Sequence, residues 1–290
     1  MPIDYRYHIG SFIAIFLALL LGILIGIGLA PDQERLNKTV SDLKLEFKMD
    51  QQERDRLTAE NEQFESLSKE AVARLIRDRL KGRRVAIVLN HEFSRDPLPD
   101  VLRGLMEESG AILTSTTAIT KEFVAMPGDI RQRALDHYGL VSSPGVHYRS
   151  LIAEQLGRDL AEGRGDSITF LHTLGIIKSS ADSDYQLPVD TVLVVGGMGP
   201  SDDASPERID LPLIGELLRL GIRVVGCESS RSSRSSIPLY KSKGISTVDN
   251  ADTLAGRMSV VLCMAGATGN FGVKDTADRT WPALSPTGHT

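Results

Sequence analysis

From Ile9 to Ala30 the chain reads IGSFIAIFLALLLGILIGIGLA, 22 positions without a charge and with Ser11 as the only hydroxyl. At a rise of ~1.5 Å per residue such a run covers the ~30 Å hydrocarbon core of a bilayer, which predicts one transmembrane helix over 9–30. A secretory leader has a shorter apolar core of ~7–15 residues. Here the small pair Gly28 and Ala30 runs straight into Pro31, a poor cleavage site. A buried core helix would continue into globular sequence, whereas the chain turns strongly polar. The run is read as an uncleaved anchor behind a short tail, residues 1–8.

From Asp32 to about Arg79 the pattern changes to Glu, Gln, Lys, Arg, Asp and Leu, with neither Gly nor Pro after Pro31. Leu36, Val40, Leu43 and Phe47 follow in alternating steps of four, three and four. The same frame reaches Asp50, Arg54, Leu57, Asn61, Phe64, Ser68, Ala71 and Leu75. This is an imperfect heptad pattern and predicts a helical coiled-coil stalk over 31–80, with Asn61 as a register-setting polar position. A single solvated helix carrying an incidental apolar stripe is the competing reading. Either way ~45 helical residues make a spacer of ~65 Å.

The span bears on that choice. Ala14, Ala18, Gly22, Gly26 and Ala30 recur every fourth residue, the spacing at which small residues let two helices approach closely. Together with the heptads they favour a parallel homodimer.

From Gly82 the periodicity becomes that of an α/β domain over 82–275. Arg84–Leu89, Ala111–Ile119, Thr191–Val195 and Ile222–Val225 read as strands, with Ser246–Val248 as a short edge. Pro97–Glu108, a stretch ending near His137, Tyr148–Glu162, Leu211–Leu220 and Thr253–Ala265 read as helices. Alternation of this kind predicts a Rossmann-like, mostly parallel sheet covered on both faces. Residues 276–290 read as a disordered tail.

Composition narrows the function. The 290 residues are 41% hydrophobic and carry a net charge of −5, so no basic excess supports nucleic-acid binding. Arg6 precedes the span while Arg35, Lys38 and Lys44 follow it, which leaves orientation open. Two cysteines, Cys227 and Cys263, make no disulfide framework; they could pair outside the cell, but read rather as independent buried thiols.

Several segments carry a family resemblance. Asp4-Tyr5-Arg6-Tyr7-His8 running into the apolar span resembles the opening of the copper transporter MctB family, which includes the cell-division protein SteB. Gly244–Asn250 (GISTVDN), leading into Ala255-Gly256-Arg257, resembles the family's VDN segment. Gly269–Lys274 (GNFGVK), with Ala277-Asp278, resembles its closing G-x-Y/F-G-x-K segment. The resemblance implies a single-pass protein of the cytoplasmic membrane, its N-terminus inside and its α/β domain outside. It further implies a role in copper handling or cell division, alongside membrane lipid and an envelope or cell-division protein partner. Copper as a ligand enters through the resemblance alone.

The residues themselves offer copper little. His8, His91, His137, His147, His172 and His289 are scattered, with no HxH, HxxxH, CxxC or MxxM pair. Cys263-Met264 is the only adjacent soft pair and lies in a helix that reads as core. The span has no ionisable or sulfur side chain, whereas ion paths need polar groups within the membrane. No catalytic, cofactor-binding or metal residue is assigned.

Three segments remain to be weighed. Cys227 follows a strand as the nucleophile of glutaminase-like domains does, but it needs a histidine base, and only His91 and the tail His289 are on offer. The turn Gly196-Gly197-Met198-Gly199-Pro200 does not match dinucleotide spacing and predicts a tight turn. Ser229–Ser236 (SSRSSRSS) reads as a flexible loop, or as a contact surface in which Arg231 and Arg234 meet an acidic partner. The reading that emerges is a membrane-anchored, non-enzymatic scaffold or binding module. A copper transport component acting as an oligomer and a hydrolase using Cys227 are its alternatives.

Overall fold

The computed structural model describes residues 5–29, 31–92, 97–141, 147–199 and 205–283. Asp4, Ala30, Pro200 and His289, named above, lie outside the described residues. The chain divides into two compact units, Met1–Leu67 and Ser68–Thr290.

The first unit is helical. Helix α1, Tyr5–Leu29, contains His8–Gly28, a segment long and apolar enough by length and composition to cross a membrane. Its large side chains from Ile9 to Ile27 are all exposed, and beyond the local helix backbone nothing lies within 4 Å of the space that a Cβ on Gly22 or Gly26 would fill. Helix α2, Pro31–Ile76, is continuous for 46 residues. Leu36, Val40, Leu43, Phe47, Leu57, Asn61 and Phe64 are exposed along it.

The second unit is a seven-stranded sheet in the order β3-β2-β1-β4-β5-β6-β7. The strands are β1 Arg84–Leu89, β2 Ile112–Ile119, β3 Ile177–Ser179, β4 Thr191–Val195, β5 Arg223–Cys227, β6 Ser246–Val248 and β7 Asn270–Phe271. All neighbours pair in parallel except β3, which runs antiparallel to β2. The helices are α3 Leu98–Glu108, α4 Lys121–Ala125, α5 Gly128–His137, α6 Tyr148–Glu162, α7 Gly165–Thr173, α8 Asp210–Arg219, α9 Ile237–Ser242 and α10 Leu254–Ala265.

Strand alternation divides the core in two. Ala86, Val88, Val192 and Val194 face a cluster with Ile152, Leu156, Leu213 and Leu217 of α6 and α8. Val85, Ile87, Leu89, Leu193 and Val195 face a second cluster with Leu102 and Met106 of α3, Val260 and Met264 of α10, and Ile76 at the end of α2. A sheet buried on both faces explains why its strands read as unbroken apolar runs.

The structure departs from the sequence reading in four places. Ser246–Val248 is not an edge, because β7 pairs beyond it. The stretch ending at His137 is two helices: Thr120 caps α4, its Oγ1 accepting from the Phe123 amide at 3.4 Å, and Met126 closes it with φ +45°. Helices α7 and α9 and strand β3 lie where neither period shows. Thr276–Ala283, placed in the tail, is tied to β7 instead: the Asp278 amide donates to the Asn270 carbonyl at 2.8 Å, and Arg279 bridges Phe271.

Candidate functional site

Between β1 and β4 the strand order reverses, the point where open α/β sheets bind ligands at their carboxyl ends. The loops that meet there follow β1 (Asn90, His91), β4 (Gly196–Gly199), β5 (Glu228–Ser236), β6 (Asp249, Asn250) and β7 (Gly272–Lys274). Among the described residues, the chain's own side chains pack onto one another at this edge.

The glycine turn after β4 is closed rather than open to a phosphate. The Gly196 amide donates to the Cys227 carbonyl at 2.8 Å, Gly197 to Ser236 Oγ at 3.0 Å, and Met198 to the Arg234 carbonyl at 3.0 Å. A phosphate cradle needs those N–H groups free. A Cβ on Gly196 would collide with Tyr240 and Ser236, and one on Gly197, at φ +82°, with Ser232 and Glu228. Two consecutive glycines are required because the serine-rich segment packs directly onto this turn.

That segment is therefore folded, contrary to the expectation of a flexible loop. Met198 and Arg234 form an antiparallel bridge, Ser233 Oγ donates to the Met198 carbonyl at 3.1 Å, and Ser236 is fully buried. Serines succeed here because their hydroxyls are short enough to bond the adjacent backbone, an arrangement that composition alone conceals. Arg231 and Arg234 remain exposed at the rim.

Beneath the loop runs a buried polar chain. His91 Nδ1 lies 2.7 Å from Asn90 Oδ1, Asn90 Nδ2 donates to Asp210 Oδ2 at 3.3 Å, and the Tyr240 hydroxyl donates to the same oxygen at 2.6 Å. Burial pushes the Asp210 carboxyl up to about 7, against the bonds from Tyr240 and Asn90 that favour its charge. Farther along, the fully buried Glu228 accepts from the Ser236 amide at 2.9 Å and from Lys274 Nζ at 2.6 Å.

The VDN and GNFGVK segments close on each other. Asp249 is 1% exposed, and its two oxygens accept from the Val273 amide at 2.8 Å and the Lys274 amide at 3.0 Å. Gly272, at φ +146°, permits this approach, since a Cβ there would strike the Asp249 carboxylate. Their sequence signal was visible, but their mutual contact was not. Asn90, Asp210, Glu228 and Tyr240 carried no local signal.

Cys227 ends β5 fully buried, and burial, followed by the Glu228 charge, pushes its thiol far above the ordinary range. Cys263 is buried on α10 and, again through burial, raised to about 12; both thiols are free. His137 stacks on Phe170 with ring centroids 4.1 Å apart, away from either thiol's element. Among the described residues no three His, Cys, Asp or Glu side chains converge as metal ligands.

These features define a doubly wound α/β domain with a self-filled ligand crevice, in a chain that opens with a membrane-length apolar helix. A family model described as copper transport outer membrane protein, MctB, matches residues 2–282, nearly the whole length. The chain belongs to that family, and membership places it among envelope proteins that handle copper. No curated protein matches the chain.

Proposed function

We propose that this protein is a non-enzymatic envelope scaffold, held in the cytoplasmic membrane by α1 with its α/β domain outside, that serves copper handling or cell division through protein contacts. The observation that carries this reading is the closed turn at the switch point: Gly197 and Met198 spend their amides on Ser236 and Arg234, where an enzyme of this fold would bind a ligand. The raised thiol of Cys227 argues in the same direction, because the thiolate is the nucleophile.

Placing the anchor in the cytoplasmic membrane rests on the helix. Outer-membrane spans are closed strand barrels, whereas this sheet has two ends and helices over both faces. We further assign the exposed seam of Leu36, Val40, Leu43, Phe47, Leu57, Asn61 and Phe64, with Ala14, Ala18, Gly22 and Gly26 in the span, to a parallel homodimer.

The family's description favours a second reading, a transport component that carries copper as cargo in an oligomer. Reconstitution of the full-length protein into liposomes decides between them. Scaffolding predicts cuprous-ion entry equal to that of protein-free vesicles. Entry above that rate establishes transport and ends the scaffold reading.

A further inference from the structure

Where the last turns of α2 meet α3 and α10, within the unit Ser68–Thr290, the fold leaves a cavity of about 400 Å³. That volume is in the range of small-molecule sites. Val72 and Ile76 of α2, Leu105 of α3 and Leu254 of α10 form its apolar part. Ile76 and Leu105 are core residues, whereas Val72 and Leu254 are only half-buried, so apolar surface is left uncovered here.

Four charges border the same space, Lys69 and Arg257 against Glu70 and Glu108. The lining is neutral in sum, which disfavours a simple anion or cation as the occupant. Glu70 is engaged by Arg74 at 2.6 Å. Glu108 and Arg257 are a different case: among the described residues neither makes an ion pair within 4 Å. Arg257 Nη2 donates to the Asp252 carbonyl at 3.2 Å, and its Nε is buried with no hydrogen-bond partner among the described residues. A guanidinium short of acceptors is matched by a carboxylate, and the Glu108 carboxylate by an ammonium. A cavity of about 400 Å³ is roughly 9 Å across, so both groups are within reach of one small molecule.

We propose that this cavity binds a free α-amino acid with an apolar side chain of leucine size. Its carboxylate meets Arg257, its ammonium meets Glu108, and its side chain covers Val72, Leu105 and Leu254. An α-amino acid carries both charges on one carbon, as two opposite partners bordering one small space require. The site goes beyond the scaffold reading, since neither the closed glycine turn nor the helical seam takes part in it.

The test is calorimetric titration of the full-length protein in nanodiscs with L-leucine, leucinamide, isocaproate and glycine. Leucine binds with a dissociation constant of about 1 mM or tighter and raises the melting temperature of the α/β domain. Leucinamide lacks the carboxylate, isocaproate the ammonium and glycine the apolar branch, and each binds roughly tenfold more weakly or worse. Arg257→Gln and Glu108→Gln each lose roughly tenfold in leucine affinity, while Lys178→Gln, an exposed charge on β3, loses nothing. No heat of binding from leucine, or equal affinity for leucine and either charge-deleted analogue, overturns the proposal. If Arg257→Gln unfolds, the change at the exposed Glu108 and the two analogues still decide it.

Discussion

Lys274 Nζ lies 2.6 Å from Oε1 of Glu228, a carboxylate with no solvent exposure, and joins the closing segment of the chain to the loop after β5. The ammonium also donates to the Ser229 and Ser232 carbonyls at 3.2 Å and 3.4 Å, so one side chain holds the serine-rich loop against the sheet edge. An ion pair so placed stabilises little by its own attraction, because the carboxylate has left water entirely and the ammonium in large part. Removing one partner strands the other.

Lys274→Met is therefore expected to destabilise the fold by about 3–5 kcal/mol in urea unfolding. Adding Glu228→Gln, which removes the stranded charge, restores much of the loss. A double variant no more stable than Lys274→Met alone would show that the lysine acts by packing rather than by pairing.

The glycine turn supports a contrast between two residues with similar backbone angles. Gly197 has φ +82° and no room for a Cβ, whereas Gly221 has φ +75° and nothing within 4 Å. Gly197→Ala should cost about 2–4 kcal/mol, from strain plus collision with Ser232, and Gly221→Ala about 1 kcal/mol, from strain alone. Chemical denaturation of both variants measures the difference, and equal losses would mean that the serine loop is not seated on the turn.

Asp210 sets a pH dependence. Its native carboxyl titrates near 7, above its ordinary 3.8, so between those values the folded chain holds a proton that the unfolded chain has released. Stability falls as pH rises through that window, by up to ~4 kcal/mol from this group at ~1.36 kcal/mol per unit. Asp210→Asn keeps an acceptor for Tyr240 and lacks the titration. The variant should melt above the parent at pH 8 and lose that advantage at pH 5. A gap independent of pH would contradict the assignment.

The proposed seam gives a fourth outcome. Val40→Asp with Phe47→Asp places charge at two exposed apolar positions of α2, far in sequence from the sheet. Light scattering in detergent should then report the mass of one chain instead of two, with the α/β melting transition unchanged. A parent protein already of single-chain mass would remove the dimer.

Much of the architecture was readable from periodicity. Tyr148–Glu162 and Thr191–Val195 coincide with α6 and β4 to the residue, because a long amphipathic helix and a doubly buried strand both write their period into side-chain choice. β7, two residues long, and β3, three, are too short to show any period and exist because a neighbour offers a ladder. The candidate site was legible only in outline. Gly196-Gly197 marked a turn, and VDN and GNFGVK marked segments of interest, yet nothing local paired Asp249 with the Val273 and Lys274 amides.

What the sequence determined by itself is what repeats or runs: an apolar stretch of membrane length, a heptad-spaced helix, an alternation of strands and helices. Such features act between near neighbours, so spacing suffices to reveal them. Only the tertiary structure decided that eight residues of serine and arginine fold onto a glycine turn, and that Asn90, Asp210 and Tyr240 share one buried network across a sequence separation of 150 residues. Those contacts depend on which loops the sheet order brings to one edge, a relation that no stretch of chain carries alone.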